Sequence, residues 1–215
     1  MTKHNALFMS LDELNILILE DNLSMVKIYK NILNSFGVKQ ISFATSVDEA
    51  KELVRMEQPD LIICDFILNG NDKYNNGLAF LRWIRQVDMA PACFTPVLMS
   101  TGHASRRIVL EFNKYGASSI VVKPLSPIIL KQRIENILID TRALIVEAGR
   151  VVIEGAVKYT KPKTQDKLVY DPGFLSRLVK NDVKKFNRKN PSNSLKIQND
   201  DDFFAVEFNT QTMFD

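Results

Sequence analysis

The chain has 215 residues, of which 46% are hydrophobic, so it is long enough to bury one complete core but short for two large domains. Its 28 basic and 25 acidic side chains give a formal net charge of +3. Residues 141–215 hold 13 of the basic and 10 of the acidic side chains, so the positive excess lies in the C-terminal part. An excess this small is common on solvated surfaces, although it is also compatible with an anionic partner.

Cysteine usage and hydropathy indicate an intracellular protein. Cys64 and Cys93 lie in or near apolar segments and form neither a disulfide framework nor a metal-binding pair. The longest apolar runs are far shorter than the ~18 residues that indicate a membrane span. The first ten residues contain no signal-peptide pattern. We therefore expect a cytoplasmic protein with reduced thiols and no membrane insertion.

Short apolar runs alternate with longer segments of helical period, which is the pattern of βαβ units around a parallel sheet buried on both faces. The predicted strands are Asn15–Glu20, Gln40–Ala44, Asp60–Asp65, Pro96–Ser100 and Ser119–Val122. The predicted helices begin near Ser24, Ser46, Gly77, Ala104 and Pro127. Five strands and five helices in alternation predict a doubly wound α/β domain that ends near Asp140.

Polar residues stand where four of these strands end. They are Glu20 and Asp21, Asp65, Ser100 and Thr101, and Lys123. Ligands of such sheets bind beyond the carboxyl ends of the strands, near the point where strand order reverses. Any one of these residues alone is a helix cap, a turn residue or a solvated strand end more often than a site residue. Their convergence at one edge is far more specific.

Other phosphate-binding patterns are absent from the sequence. Neither G-x-x-x-x-G-K-[ST] nor G-x-G-x-x-G after a strand occurs. A haloacid-dehalogenase-type phosphatase requires a second Asp two residues after its nucleophile, and Ile67 occupies that position after Asp65. These absences argue against a nucleotide-binding loop and against that phosphatase class.

Two stretches carry a resemblance to a known family. Phe-Thr-Pro-Val-Leu-Met-Ser-Thr-Gly at 94–102 and Tyr-Gly-Ala-Ser-Ser-Ile-Val-Val-Lys-Pro at 115–124 resemble the receiver domains of two-component response regulators, including the chemotaxis response regulator. The resemblance covers about residues 13–140. It implies a flavodoxin-like sheet of order 2-1-3-4-5 flanked by five helices, in a signalling protein that is not an enzyme.

The resemblance also implies the chemistry of the site. It carries the phosphoacceptor role to Asp65, the switch hydroxyl to Thr101 and the phosphate-pairing lysine to Lys123, and it implies a cis peptide at Lys123-Pro124. A carboxylate is a plausible nucleophile for phosphoryl transfer once the charge of the incoming group is neutralised.

Magnesium is the cofactor that the resemblance implies. Mg²⁺ prefers hard oxygen ligands and typically combines a few carboxylates with waters and phosphate oxygens. The expected ligands are the carboxylates of Glu20, Asp21 and Asp65 and the backbone carbonyl of Ile67. The expected phosphoryl donor is a sensor histidine kinase or a histidine phosphotransfer protein.

Residues 141–215 match no output domain that we recognise. Their pattern predicts a hairpin over Arg150–Tyr159 about Glu154-Gly155 and a helix over Phe174–Lys189 with a basic side. The final segment, Phe203–Phe208, is either a strand or a docking segment. Two outputs remain open. An adaptor would signal to a downstream protein target through the surface near the fourth helix, fifth strand and fifth helix. Alternatively, the basic helix would bind DNA or RNA under control of phosphorylation.

The absence of a recognisable reading helix favours the adaptor. A degenerate receiver that takes no phosphate is a third possibility, which the complete set of site residues disfavours.

Overall fold

The computed structural model describes residues 2–68, 76–102 and 104–155, together with two strands in the C-terminal region at 195–200 and 203–208. The chain divides into two compact units. The first comprises residues 1–103 and 108–157, and the second comprises residues 104–107 and 158–215. The first unit contains the parallel sheet, and the second contains an antiparallel hairpin.

Strands and helices alternate along the first part of the chain. Strands β1 to β5 are Asn15–Leu19, Gln40–Ala44, Leu61–Asp65, Val97–Thr101 and Ser119–Val122. Helices α1 to α5 are Leu23–Ser35, Val47–Glu57, Gly77–Ile84, Arg106–Lys114 and Pro127–Leu138. Each strand and helix predicted for this part of the chain is present, and the strand bounds and helix starts differ from the predicted ones by at most two residues.

The five strands form one parallel sheet in the order β2-β1-β3-β4-β5. The predicted fold class, a doubly wound five-stranded parallel sheet with five helices, is confirmed. Strand order reverses between β1 and β3, so the crevice in which such sheets bind ligands lies at the carboxyl ends of these two strands.

Both faces of the sheet are buried, which explains why its central strands are continuous apolar runs. Ile16 and Ile18 of β1 pack in the layer formed with α1 and α5. Leu17 and Leu19 point the other way and pack in the layer that includes α2 and α3. Because side chains alternate along a strand, residues two apart point to the same face of the sheet.

Side-chain caps begin the two helices nearest the ligand-binding crevice. Oδ1 of Asn22 accepts hydrogen bonds from the N–H groups of Ser24 and Met25, at 2.9 and 3.3 Å, and so begins α1. Oδ1 of Asn76 accepts from the N–H of Ala79 at 3.0 Å and begins α3. These bonds satisfy N–H groups that have no partner within the helix. They fix where each helix starts relative to the strand before it.

A hairpin follows α5, formed by antiparallel strands β6 (Leu144–Glu147) and β7 (Arg150–Ile153), and we call residues 144–153 the basal hairpin. Ala148 and Gly149 make its turn with φ values of 50° and 75°, as expected for a two-residue hairpin connection. The predicted hairpin about Glu154-Gly155 stays a prediction, because its second strand, residues 156–159, lies outside the described residues. The pairing of β7 with β6 was not predicted from the sequence.

Backbone hydrogen bonds attach the basal hairpin to the sheet domain. The N–H of Val151 donates to the carbonyl of Arg85 at 2.7 Å, and the N–H of Val87 donates to the carbonyl of Gly149 at 3.2 Å. Val151 is only 1% exposed. The hairpin therefore packs beside the end of α3, with part of its apolar surface buried.

The buried side chain of Arg85 holds this end of the sheet domain together. Its guanidinium donates to the carbonyls of Gly116 at 2.9 Å, Cys93 at 3.0 Å and Thr95 at 2.8 Å. Burial lowers the pKa of Arg85 to about 10. Thr95 and Gly116 precede β4 and β5, so Arg85 and the basal hairpin lie at the amino ends of the strands.

The second unit contains strands β8 (Leu195–Asp200) and β9 (Phe203–Phe208), which pair antiparallel from Leu195 with Phe208 to Asp200 with Phe203. The predicted final strand is confirmed. The predicted helix over residues 174–189 lies outside the described residues. Among the residues that the structure describes, no helix is both long and apolar enough to cross a bilayer.

Candidate functional site

Four strand ends place the predicted site residues at one edge of the sheet. Glu20 follows β1, Asp65 ends β3, Thr101 ends β4 and Lys123 follows β5. Strands β1, β3, β4 and β5 are consecutive in the sheet, and parallel strands end at the same edge. The structure therefore brings together residues that are up to about a hundred positions apart in the chain.

Three carboxylates form a cluster at this edge. One oxygen each of Glu20, Asp21 and Asp65 lies within 4.8 Å of the others. Glu20 and Asp65 are buried, at 2% and 7% exposure, and Asp21 is partly buried. Hard oxygen donors in this number are the ligands that Mg²⁺ uses in proteins, so the donor set fits the expected cofactor.

Lys123 supplies the cation that contacts this cluster. Its Nζ lies 2.7 Å from Oε2 of Glu20 and 3.1 Å from Oδ1 of Asp65. Burial alone would lower the pKa of Lys123, but the hydrogen bond to Glu20 and the negative charge of Asp65 outweigh burial and raise it. The ammonium group is therefore charged at neutral pH, and it contacts the predicted phosphoacceptor directly.

One lysine does not balance three carboxylates. Burial raises the pKa of Asp65 above its ordinary value, and the charge of Lys123 opposes that rise. Burial likewise raises the pKa of Glu20; the hydrogen bond from Lys123 opposes the rise and the charge of Asp65 adds to it. Both shifts mean that the ionised carboxylates are incompletely neutralised. A divalent cation would compensate the excess negative charge.

Thr101 ends β4 beside the cluster and is fully buried. Its carbonyl accepts a hydrogen bond from the N–H of Lys123 at 2.8 Å, so its backbone helps to place the lysine. The Lys123–Pro124 peptide is cis, as the resemblance implies. The role of the Thr101 hydroxyl toward a phosphoryl group stays a prediction.

Ile67 lies two residues beyond Asp65, and 37% of its surface is exposed. Its backbone carbonyl as a metal ligand stays a prediction. The loop that follows, residues 69–75, and His103 lie outside the described residues.

Gly77 is a site residue whose role the sequence did not reveal. A Cβ atom built at this position would lie 1.9 Å from the carbonyl oxygen of Asp65 and 2.9 Å from Sγ of Cys64. The N–H of Gly77 donates to the carbonyl of Phe66 at 3.0 Å. Only glycine allows α3 to begin this close to the end of β3. The sequence signal was a glycine at a predicted helix start, which usually has no such meaning.

The sequence matches the model of the response regulator receiver domain over residues 16–135. The chain is 30% identical over 143 residues to the transcriptional regulatory protein ZraR of Escherichia coli strain K12, across 66% of this chain but 30% of ZraR. It is also 30% identical over 124 residues to the chemotaxis protein CheY of Pseudomonas aeruginosa, across 58% of this chain and 95% of CheY. The chain thus spans less than a third of ZraR and nearly all of CheY.

Solved structures show the same fold. Chemotaxis protein CheY4 of Vibrio cholerae superposes with a TM-score of 0.51 at 25% identity, and the match covers 58% of this chain and 98% of CheY4. The receiver domain of NtrX from Brucella abortus gives a TM-score of 0.50 at 26% identity, with coverage of 58% and 98%. These matches leave the C-terminal region of this chain without a counterpart.

Fold and site together define a flavodoxin-like α/β protein with an acidic cluster and a lysine at the carboxyl edge of its sheet. The chain belongs to the response regulator receiver family, and residues 16–135 are the receiver domain of a two-component response regulator. Receiver domains are signalling modules that interact with histidine kinases and with downstream targets.

Proposed function

We propose that this protein accepts a phosphoryl group on Asp65 in a two-component phosphorelay. The observation that carries the proposal is the position of Asp65, which is buried within the acidic cluster and in contact with Lys123. A carboxylate held between a metal-binding cluster and a fixed cation has the environment that phosphoryl transfer requires, because the charge of the transferred group must be neutralised.

The carboxylates of Glu20, Asp21 and Asp65 and the carbonyl of Ile67 would hold Mg²⁺. The ion would supply positive charge against the phosphoryl oxygens. Glu20 and Asp21 belong to the same connection between β1 and α1, where the Asn22 cap fixes the start of the helix. Their separation from Asp65 is therefore set by the sheet and by this cap.

The transfer step forms a bond between Oδ of Asp65 and phosphorus and breaks the bond between phosphorus and the donor, which is a histidine nitrogen or the oxygen of a small acyl phosphate. Lys123 contacts Asp65 before transfer. After transfer the Asp65 side chain is an uncharged acyl group, and the charge nearest to Lys123 is the phosphoryl group. Thr101 would donate its hydroxyl to another phosphoryl oxygen.

The output that we propose is contact with a downstream protein, through the surface near α4, β5 and α5. We propose residues 13–140 as the receiver and residues 141–215 as a C-terminal extension. Since phosphoryl groups in such relays derive from ATP, we place the protein in the cytoplasm.

The nucleic-acid alternative concerns residues 174–189, outside the described part of the chain. The relative ZraR is named as a transcriptional regulator, but the match covers only 30% of it. Binding of the C-terminal region to duplex DNA with a steep salt dependence would favour that alternative.

Intact-mass analysis after incubation with acetyl phosphate and Mg²⁺ tests the proposal. We expect the wild-type chain to gain roughly 80 Da, the mass of one phosphoryl group, and we expect no gain in Asp65→Asn or without Mg²⁺. Asp60→Asn is a matched control, since Asp60 precedes β3 and accepts a hydrogen bond from the N–H of Asn15. Labelling of the Asp65→Asn chain, or a wild-type chain that stays unlabelled beside a labelled control receiver, would contradict the proposal.

A further inference from the structure

A buried pair of hydroxyl groups lies beside the phosphoacceptor and has no part in the chemistry described above. Tyr29 and Ser100 are both 0% exposed, and the hydroxyl of Tyr29 donates to Oγ of Ser100 at 2.7 Å. The other residues of this layer are hydrophobic. A polar group in such a layer costs free energy unless it is hydrogen-bonded, so the two hydroxyls depend on each other.

Ser100 is the residue next to Asp65 across the sheet. The two residues are register partners on the adjacent strands β3 and β4, and side chains of register partners point to the same face. The carbonyl of Ser100 accepts a hydrogen bond at 2.8 Å from the N–H of Phe66, the residue that follows Asp65. Any displacement of Ser100 is therefore transmitted to the backbone on which Asp65 is held.

Thr101, the residue after Ser100, makes a corresponding backbone hydrogen bond to the chain that follows β5. The carbonyl of Thr101 accepts from the N–H of Lys123 at 2.8 Å. Two consecutive carbonyls of β4 thus accept hydrogen bonds, one from the residue after Asp65 and the other from Lys123. The end of β4 is the structural element that fixes the spacing between the phosphoacceptor and its cation.

Tyr29 connects this strand end to the acidic pair. It lies on α1, and α1 begins at Leu23, directly after Glu20, Asp21 and the cap residue Asn22. The hydrogen bond from Tyr29 to Ser100 is a polar tie between the helix that follows the metal-binding pair and the strand that places Asp65 and Lys123. Buried apolar residues of α1 also pack in the layer against the sheet, but apolar packing has little directional preference.

On the basis of the proposed function, we propose that Tyr29 and Ser100 are positioning residues for phosphoryl transfer. Their hydrogen bond sets the location of the β4 end relative to α1, and through it the relative placement of Asp65, Thr101 and Lys123. Neither hydroxyl needs to contact the phosphoryl group. Because reacting groups must be placed within a fraction of an ångström, loss of the bond slows transfer by about tenfold.

The test measures the rate of labelling of the full chain by acetyl phosphate with intact-mass detection, at increasing Mg²⁺ concentration. The variants are Tyr29→Phe, Ser100→Val and Ser100→Thr. Val and Thr have nearly the same shape, and only Thr retains the hydroxyl, so both share any packing cost at this site. Tyr115→Phe is the matched control, since Tyr115 follows α4 and contacts the side chain of Arg82.

We expect Tyr29→Phe and Ser100→Val to lower the saturating rate about tenfold, and Ser100→Thr and Tyr115→Phe to stay within about twofold of wild type. The half-saturating Mg²⁺ concentration should not change, because the carboxylates are retained. The double variant Tyr29→Phe with Ser100→Val should be no slower than either single variant, since one bond is lost in each case. Circular dichroism identifies a variant that does not fold. If a Ser100 variant does not fold, Tyr29→Phe still tests the inference, because it removes only the hydroxyl and keeps the ring.

Wild-type rates in Tyr29→Phe, or equal losses in Ser100→Thr and Ser100→Val, would overturn the inference while leaving phosphorylation of Asp65 in place. A wild-type chain that is not labelled would overturn the proposed function and this inference with it. The two failures are therefore distinguishable.

Discussion

Lys123 makes its shorter side-chain contact at the site with Glu20, at 2.7 Å from Nζ to Oε2. The contact with Asp65 is longer, at 3.1 Å. The lysine thus forms a bridge between one predicted metal ligand and the predicted phosphoacceptor. In this position it would compete with a metal ion for the carboxylates, and under the proposed function it would also support the transfer of a phosphoryl group.

Lys123→Gln should therefore change metal binding and phosphoryl transfer in opposite directions. Removal of the ammonium takes away the cation that contacts Glu20 and Asp65, so Mg²⁺ should bind about tenfold more tightly. Labelling by acetyl phosphate should fall about a hundredfold, because one charge that stabilises the transferred group is lost. Calorimetry measures the first effect and intact mass the second.

Lys131→Gln is the control for both measurements, since Lys131 lies on α5 within 3.9 Å of Glu135 and is well exposed. Weaker Mg²⁺ binding in Lys123→Gln would show that the lysine supports the metal site and does not compete with it.

Gly77→Ala should impair both the fold and the site. The new Cβ atom would lie 1.9 Å from the carbonyl oxygen of Asp65, so α3 or the end of β3 has to move. Overpacking of this kind costs about 1–3 kcal/mol of unfolding free energy, and the displacement should also lower the labelling rate. Urea denaturation checks the first effect.

Gly102→Ala is the matched stability control, because a Cβ atom there would meet nothing within 4 Å. If the two alanine variants have the same urea midpoint, the close approach of α3 to Asp65 is not a packing constraint.

The sequence predicted the sheet because its central strands are apolar runs of three or four residues that are followed by polar side chains. The positions of Glu20, Asp65 and Lys123 followed from one rule, that parallel strands end at a common edge. The hydrogen bond between Tyr29 and Ser100 did not follow, since the sequence does not indicate which polar group the hydroxyl of a buried tyrosine will meet. The pairing of β6 with β7 was not predicted, because Ala148-Gly149 is a weaker turn signal than the Glu154-Gly155 pair that follows it.

The stability of the protein should depend on pH through His4. Burial lowers the pKa of His4 below 6.5, although a hydrogen bond with the carbonyl of Asp140 opposes this. The folded state therefore binds fewer protons than the unfolded state between the lowered pKa and 6.5. The contribution of His4 to stability is complete above pH 6.5 and is lost as the pH falls through the folded-state pKa.

Urea denaturation at about pH 7.5 and about pH 5 measures this effect. The free energy of unfolding should fall more for wild type than for His4→Gln, which has no titrating group at this position. An identical fall in both proteins would show that other groups account for the acid sensitivity.

Truncation should show whether the basal hairpin belongs to the folded receiver. A chain that ends at Gly155 keeps the backbone hydrogen bond from Val151 to Arg85, whereas a chain that ends at Asp140 loses it. Val151 and Ile153 are 1% and 6% exposed, and burial of each side chain contributes about 1.5–3 kcal/mol. The free energy of unfolding of the shorter chain should therefore be lower by at least about 3 kcal/mol. Equal stability of the two chains would favour residues 13–140 as a complete folding unit.

The basal hairpin and Asp65 lie at opposite ends of the parallel sheet. Under the proposed function, a donor protein would have to reach Asp65 at the carboxyl end of the sheet, whereas the basal hairpin lies at the amino end. A strand of five residues is about 17 Å long, so these two ends are separated by the full depth of the sheet. A protein that contacts the basal hairpin and a kinase at Asp65 would therefore approach opposite ends of the sheet.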